Sequence, residues 1–239
     1  MKKMIATLVL TIAPCLVFAG DGSVELAKPN GFESAAIKSA PAVVEKYKLG
    51  KQYQAITPPV RTNDPDKIEV VEAFSYVCIH CEHFEAKIEP WAAKLPADVD
   101  FQRAPVIFNE GAQVFARVYY SLKLLNVLPQ MHPVVFKAVL DEKKDLKNEK
   151  QFAEFFAGFG IKERDFLQQY NSFTVQSLVQ RDDANVRSYG ITGTPEMVVD
   201  GKYRVSMQDA GGPQEVLNVV SFLIEKERQA RMAKASSKK

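Results

Sequence analysis

Two cysteines separated by two residues, in the motif Cys78-Ile79-His80-Cys81, are the part of the chain best suited to chemistry. If the pair stands at the start of a helix, the first sulfur faces unpaired backbone N–H groups and the positive end of the helix dipole. That arrangement favours a thiolate at Cys78, and a protonated His80 near the sulfur would add to the effect. A stabilised thiolate is a good leaving group and makes the disulfide an oxidant, so the motif predicts thiol–disulfide exchange.

Two other uses of the motif are weaker. A structural disulfide between Cys78 and Cys81 closes a very short loop, which offers little chain-entropy stabilisation. Metal binding has four candidate ligands, since His80 and His83 join the two cysteines. Four ligands crowded into one short stretch give poor tetrahedral geometry, and His132 does not supply a second pair. We therefore expect no metal site.

The N-terminus predicts export from the cytoplasm. Two lysines precede an apolar run, residues 4–18, which ends next to the small residue Ala19. The run is short for a bilayer span and contains Pro14, so a membrane anchor is the weaker interpretation. We interpret residues 1–19 as a cleavable signal peptide.

Cleavage simplifies the cysteine inventory. The third cysteine, Cys15, lies in the apolar run, and Pro14 directly before it argues against lipid attachment. The mature chain keeps only Cys78 and Cys81, in a compartment where disulfides persist.

The charge balance bears on the kind of partner. The full chain has 31 basic and 29 acidic residues, and the signal peptide removes two lysines, so the mature chain has no formal net charge. Nucleic-acid binding needs a strongly basic face, so we expect no such partner. The basic residues from Arg228 onward are predicted to form a solvated, frayed tail, with residues 233–239 beyond the last helix.

The elements around the motif predict a βαβ unit. Residues 68–76 are rich in β-branched and aromatic residues and precede Cys78 directly, and residues 52–56 form a short earlier strand. A helix runs from Cys78 until Leu95-Pro96 stops it, and residues 99–106 form the next strand. The motif thus lies where a strand passes into a helix.

The rest of the chain is helical and then returns to strands. Residues 111–189 are helical almost throughout, whereas residues 20–50 form an N-terminal extension with a helix around residues 34–47. Strands at residues 196–200 and 203–207 are joined by an Asp-Gly hairpin signal, and a last helix covers residues 213–232. The class is therefore α/β.

These features together resemble the DsbA family of periplasmic disulfide oxidases. The resemblance rests on the strand before the cysteines, Cys78-Ile79-His80-Cys81, the long helical stretch, and Thr194-Pro195 before a hairpin. It implies a thioredoxin fold with an inserted all-helical domain. Residues 51–110 and 190–232 would be the two parts of the thioredoxin fold, and residues 111–189 the insertion.

The resemblance also implies roles for further residues. Pro195 would follow a cis peptide bond beside the disulfide, and the main chain of Thr194 would pair with an extended substrate segment. Glu72 would be a buried acid near the cysteines that perturbs their pKa values and relays protons. Glu85 falls on the active-site helix, and Arg103 stands where the family has a basic residue.

Two positions beside the disulfide depart from the family's best-known pattern. Ile79 stands where a proline is usual, and Thr194 stands where some members have valine. Both positions bear on redox strength and substrate choice, which the sequence leaves open.

The function implied is that of a monomeric periplasmic enzyme that oxidises reduced or unfolded exported proteins. Its redox-active disulfide, Cys78–Cys81, carries the electrons, so no bound cofactor is needed. A quinone-linked membrane protein like DsbB would reoxidise it. A disulfide isomerase or reductase on the same fold is an alternative, as is a peptide-binding chaperone with an incidental disulfide; a metal-binding module comes third.

Overall fold

The computed structural model describes residues 46–237. The predicted signal peptide, residues 1–19, lies outside the described residues, as does the predicted N-terminal extension up to residue 45. Of the helix predicted over residues 34–47 only Lys46 and Tyr47 are described, and they form a bend. The ring of Tyr47 is buried and packs edge-on against that of Phe222.

A mixed five-stranded sheet forms the base of the described part. The strand order is β1-β5-β4-β2-β3, with β2 parallel to β3 and antiparallel to β4. Every residue of β2 is buried, as expected for an interior strand rich in apolar residues. The strands are β1 (Gln54–Ala55), β2 (Ile68–Phe74), β3 (Val99–Pro105), β4 (Glu196–Val199) and β5 (Tyr203–Ser206).

The helices fall into two groups. Helix α1 connects the parallel strands β2 and β3, which confirms the predicted βαβ unit, and α2 to α6 separate β3 from β4. The fold is therefore a thioredoxin fold with a helical insertion. The helices are α1 (Ile79–Ala92), α2 (Ala112–Leu124), α3 (Leu128–Leu140), α4 (Glu149–Ala157), α5 (Glu163–Tyr170), α6 (Phe173–Tyr189), α7 (Met207–Ala210) and α8 (Pro213–Ser236).

Three apolar clusters hold these layers together. One lies between the sheet and helices α1 and α8, and a second lies on the opposite face of the sheet against α6. The third fills the helical insertion and continues through Phe74 and Tyr76 to Cys81. The insertion therefore packs directly against the chain segment that carries the cysteines.

Local sequence signals account for the ends of several elements. The side chain of Ser172 accepts a hydrogen bond from the backbone N–H of Val175 and so caps α6. Helix α6 ends at Gly190 in the left-handed conformation, φ 68°, which suits glycine. The predicted hairpin turn is confirmed, because Asp200 and Gly201 both have positive φ, 54° and 61°.

The predicted frayed tail is wrong. Helix α8 continues to Ser236 and carries its arginines onto the folded body. Arg228 Nε lies 2.7 Å from Asp98 Oδ2, and Arg231 Nη2 lies 2.7 Å from Asp200 Oδ1. These ion pairs join α8 to residues distant in sequence, which a local pattern does not reveal.

None of the helices in residues 46–237 combines the length and apolar character that a bilayer span needs.

Candidate active site

Cys78 occupies the N-cap of α1, directly after the loop that leaves β2. Its side chain is partly exposed, whereas Cys81, one turn into the helix, is fully buried. Both are free thiols in this structure. The predicted placement of the first sulfur at a helix N-terminus is therefore confirmed.

The two thiols differ strongly in acidity. The pKa of Cys78 falls from 9.0 to about 5, chiefly because Cys81 hydrogen-bonds to its sulfur. Thr194 and the backbone N–H groups of Cys81 and His80 lower it further, while partial burial opposes them. The pKa of Cys81 is raised far above that of an ordinary thiol, first by the hydrogen bond with Cys78 and then by burial. Cys78 is thus the thiolate and Cys81 the thiol that supports it.

His80 acts on the Cys78 pKa through its backbone N–H. Its imidazole is exposed, as is that of His83 one turn further along α1. Exposed apolar side chains flank the reactive sulfur on both sides in the chain: Val77 is 56% and Ile79 43% solvent-exposed. The immediate surroundings of Cys78 are therefore more apolar than the motif alone suggests.

The loop before β4 lies against Cys78. The Thr194–Pro195 peptide bond is cis, as the family resemblance implies. The Cys78 sulfur lies 3.3 Å from the main-chain carbonyl oxygen of Thr194, to which it donates when it is protonated. A second cis bond, Thr57–Pro58, lies elsewhere and was not predicted.

A groove of ≈ 700 Å³ opens beside this loop. One wall comes from α1, through His80, His83 and Phe84, and another comes from the loop around Pro195. The remaining lining residues lie between β5 and the start of α8, with Met207 among them. The groove combines apolar side chains with polar and charged ones.

The three charged residues singled out from the family pattern come together behind the cysteines. Glu72 and Arg103 are paired in register on β2 and β3, and Arg103 Nε lies 2.9 Å from Glu72 Oε2. Arg103 Nη2 also donates to Glu85 Oε2 at 3.1 Å and to Glu89 Oε1 at 2.6 Å. One guanidinium therefore faces three carboxylates.

Glu72 is fully buried in this cluster. Burial raises the pKa of its carboxyl to about 8, and the neighbouring Arg103 only partly offsets that effect. Burial therefore favours the protonated form of Glu72. Within the described residues neither Glu72 nor Glu85 hydrogen-bonds a cysteine sulfur.

Sequence reasoning missed two residues that extend this cluster into the helical insertion. His132 of α3 is buried, and its Nδ1 lies 2.7 Å from the hydroxyl of Tyr76. Its Nε2 lies 3.4 Å from Glu85 Oε1, which is ion-pair distance without hydrogen-bond geometry. The available signal was a histidine within an otherwise apolar stretch of α3, where burial lowers the pKa of His132.

No group of three or more His, Cys, Asp or Glu side chains in residues 46–237 is arranged to hold a metal ion.

The fold and the cysteine pair together define the class: a thioredoxin-fold thiol:disulfide oxidoreductase.

Comparison with known proteins gives the family. Residues 68–218 match the model of the DSBA-like thioredoxin domain. The chain is 41% identical over 196 residues to the thiol:disulfide interchange protein DsbA of Pseudomonas aeruginosa PAO1, covering 82% of this chain and 93% of the relative. It is also 41% identical over 184 residues to DsbA of Azotobacter vinelandii, covering 77% and 86% respectively. This protein belongs to the DsbA family.

A solved structure agrees with this placement. The crystal structure of Pseudomonas aeruginosa DsbA superposes with a TM-score of 0.76 at 41% identity, covering 79% of this chain and 98% of that one. The predicted thioredoxin fold with a helical insertion is thereby confirmed.

Proposed function

We propose that this protein is a periplasmic dithiol oxidase that donates the Cys78–Cys81 disulfide to exported proteins. The observation that carries the proposal is the position of the Cys78 sulfur, which is accessible at the N-terminus of α1 and stabilised there as a thiolate. A thiolate stabilised only in the reduced protein favours reduction of the disulfide. The pair is therefore suited to accept electrons from substrate thiols.

The reaction begins from the oxidised pair. A substrate thiolate attacks the Cys78 sulfur, a mixed disulfide forms, and Cys81 leaves and takes up a proton. A second substrate thiolate then attacks the substrate sulfur of the mixed disulfide and displaces Cys78 as a thiolate. The substrate has gained a disulfide, the enzyme holds a dithiol, and two electrons have moved from substrate to enzyme.

Glu72 is suited to supply the proton that Cys81 needs. Its raised pKa, about 8, keeps it protonated at neutral pH in a buried position behind α1. Arg103 holds its carboxylate form in place after proton loss, and Glu85 shares the same guanidinium. Because neither acid touches a cysteine sulfur, transfer requires a bridging water.

Substrate recognition is assigned to the surface around Pro195. An extended segment would pair with the main chain of Thr194 in the manner of an added strand. Its side chains would reach the groove next to His80 and the exposed Val77 and Ile79. Such a surface favours unfolded or newly exported chains, which present extended apolar segments.

Membership of the DsbA family supports the wider setting that we propose. The enzyme acts as a monomer in the periplasm after signal-peptide removal, and the cysteine pair is its only redox group. A quinone-linked membrane protein of the DsbB kind takes the electrons back from the reduced pair.

The deciding experiment equilibrates the mature protein with glutathione redox buffers and follows iodoacetamide alkylation against pH. We expect a disulfide more oxidising than that of glutathione, and an alkylation midpoint near the pKa of Cys78, about 5. Cys78→Ser should abolish the low-pH alkylation, whereas Cys81→Ser should retain a reactive thiol with a higher midpoint. A potential near that of thioredoxin, about −270 mV, with an ordinary thiol midpoint would instead indicate a reductase or isomerase.

A complementation test addresses the chaperone alternative. Cys78→Ala should abolish disulfide formation in a cell that lacks its own oxidase. Full biological activity of this variant would show that the disulfide is incidental.

A further inference from the structure

The side chain of His132 is a buried polar group within the apolar packing of the helical insertion. Its ring is enclosed by aromatic rings at centroid distances of 5.0 to 6.0 Å, from Phe74, Tyr76, Tyr119 and Phe136. A buried imidazole inside an aromatic cage is costly unless its nitrogens are hydrogen-bonded. Only Nδ1 has a partner, the Tyr76 hydroxyl.

The second nitrogen points to a specific neighbour. His132 Nε2 and Glu85 Oε1 are both buried atoms without hydrogen-bond partners, and they lie 3.4 Å apart. A small rotation of either side chain converts this contact into a hydrogen bond, which satisfies both atoms at once.

The tautomer follows from the same geometry. If Nδ1 carried the proton, the lone pair of Nε2 would face the lone pairs of the Glu85 carboxylate. If Nε2 carries the proton, Tyr76 donates to Nδ1 and Nε2–H donates to Glu85, so each group has a partner. The second arrangement is favoured because it leaves no buried donor or acceptor unpaired.

We infer that His132 is a positioning residue for the cysteine chemistry: its Nε2–H donates to Glu85 and holds that side chain on Arg103, beside the buried Glu72. Glu85 lies four residues after Cys81 and so on the same face of α1. The inference rests on the proposed function, in which Glu72 supplies the proton to Cys81.

The charged and titratable groups that bear on this contact come from several elements. Arg103 of β3 binds both Glu72 and Glu85, so one guanidinium couples the two acids. The charge of Glu85 raises the pKa of Glu72, and a hydrogen-bond donor on Glu85 compensates part of that charge. Among the described residues, the groups that bear on this contact include Glu72, Tyr76, Glu85, Glu89, Arg103 and Tyr119.

A matched pair of variants isolates the hydrogen bond. His132→Gln and His132→Met introduce side chains of similar length, but only Gln can accept from Tyr76 and donate to Glu85. Without the donor, the charge of the Glu85 carboxylate is less well compensated, so forming a second negative charge on Glu72 costs more. The carboxyl titration that ends near pH 8 in the native protein should move upward by about half a pH unit in His132→Met. It should stay in place in His132→Gln.

Two readouts test this. Carbon-13 NMR of glutamate carboxyls, with Glu72→Gln for assignment, gives the titration midpoint. The second readout is the rate of single-turnover oxidation of a dithiol peptide, expressed as the rate of His132→Met divided by the rate of His132→Gln. The ionisation of the peptide thiols affects both rates equally and so cancels in this ratio. The ratio should rise by about threefold across pH 8. Phe136→Leu perturbs the same cage without a polar atom and should lower the Tm while leaving the carboxyl midpoint unchanged.

The outcomes separate the two proposals. If the native enzyme oxidises the peptide but both His132 variants keep its midpoint and rate profile, the positioning role is refuted and the oxidase function stands. If the native enzyme does not oxidise the peptide, the proposed function fails first. If His132→Met does not fold, Tyr76→Phe is the alternative variant, because it removes the hydroxyl that fixes the tautomer of His132. It should shift the carboxyl titration midpoint upward, but by less than His132→Met. An unshifted midpoint in Tyr76→Phe also refutes the positioning role.

Discussion

Replacing Thr194 by valine tests how the loop before β4 sets the oxidising power of the cysteine pair. The Thr194 side chain contributes to the lowered pKa of Cys78, after the larger influence of Cys81. Valine keeps the branched shape but lacks the hydroxyl, and the main-chain contact between Cys78 and the carbonyl of residue 194 is unaffected. The substitution therefore removes one source of thiolate stabilisation and little else.

The size of the effect follows from the strength of a single hydrogen bond. Its net worth is ~1 kcal/mol, and solvent screening at a partly exposed sulfur reduces this to ~0.5–1 kcal/mol. The pKa of Cys78 should then rise by ~0.4–0.7 units. Because the thiolate exists only in the reduced protein, the disulfide becomes harder to reduce, and its potential should become more negative by ~10–20 mV.

The assay is a glutathione redox titration at neutral pH, combined with the pH dependence of Cys78 alkylation. Thr194→Ser retains a hydroxyl and serves as the control, with both quantities close to those of the native protein. If Thr194→Val leaves the alkylation midpoint and the potential unchanged, the side-chain hydroxyl does not stabilise the thiolate and the reasoning is refuted.

Three further predictions concern stability. The raised pKa of Glu72 makes folding take up a proton between pH 4.5 and about 8. Glu72→Gln should therefore add ~1 kcal/mol to the free energy of unfolding at the upper end of this range and nothing at the lower end. Equal shifts of the urea midpoint at both ends of the range would contradict this. The depressed pKa of Cys78 means that the reduced protein should lose its stability advantage over the oxidised protein as pH falls from about 9 to about 5. Thermal unfolding of both redox forms between pH 5 and 8 should show that this difference in stability shrinks as the pH falls. The stability of Cys78→Ser should lack this pH dependence. Ser172→Ala removes the N-cap of α6 and should lower the free energy of unfolding by ~1 kcal/mol without moving the alkylation midpoint; no change in chemical denaturation would show that the cap is dispensable.

The elements nearest the cysteines could be predicted because their signals are local. The β-branched run before Cys78 gives β2, and the polar–apolar pattern after it gives α1. The hairpin turn at Asp200 and Gly201 likewise depends on two adjacent residues that tolerate positive φ. Each of these signals lies within a few residues of the structure that it specifies.

The parts of the site that escaped prediction are assembled from distant segments. His132 joins Tyr76 and Glu85 only because α3 packs over α1, and no pattern near His132 encodes that contact. The ion pairs of α8 with Asp98 and Asp200 are long-range in the same sense. Periodicity predicts that a helix buries one face, but it does not predict which polar groups that face will meet.

The opposite acidities of the two cysteines have one common cause. The hydrogen bond between Cys81 and Cys78 is the largest contribution both to the lowered pKa of Cys78 and to the raised pKa of Cys81. The proton of this hydrogen bond thus resides on the buried sulfur of Cys81, and oxidation to the disulfide abolishes the interaction. Any change at Ile79 or His80 that separates the sulfurs must therefore raise the first pKa and lower the second together. A variant in which the two values move independently would show that the backbone N–H groups of α1, rather than Cys81, govern the thiolate.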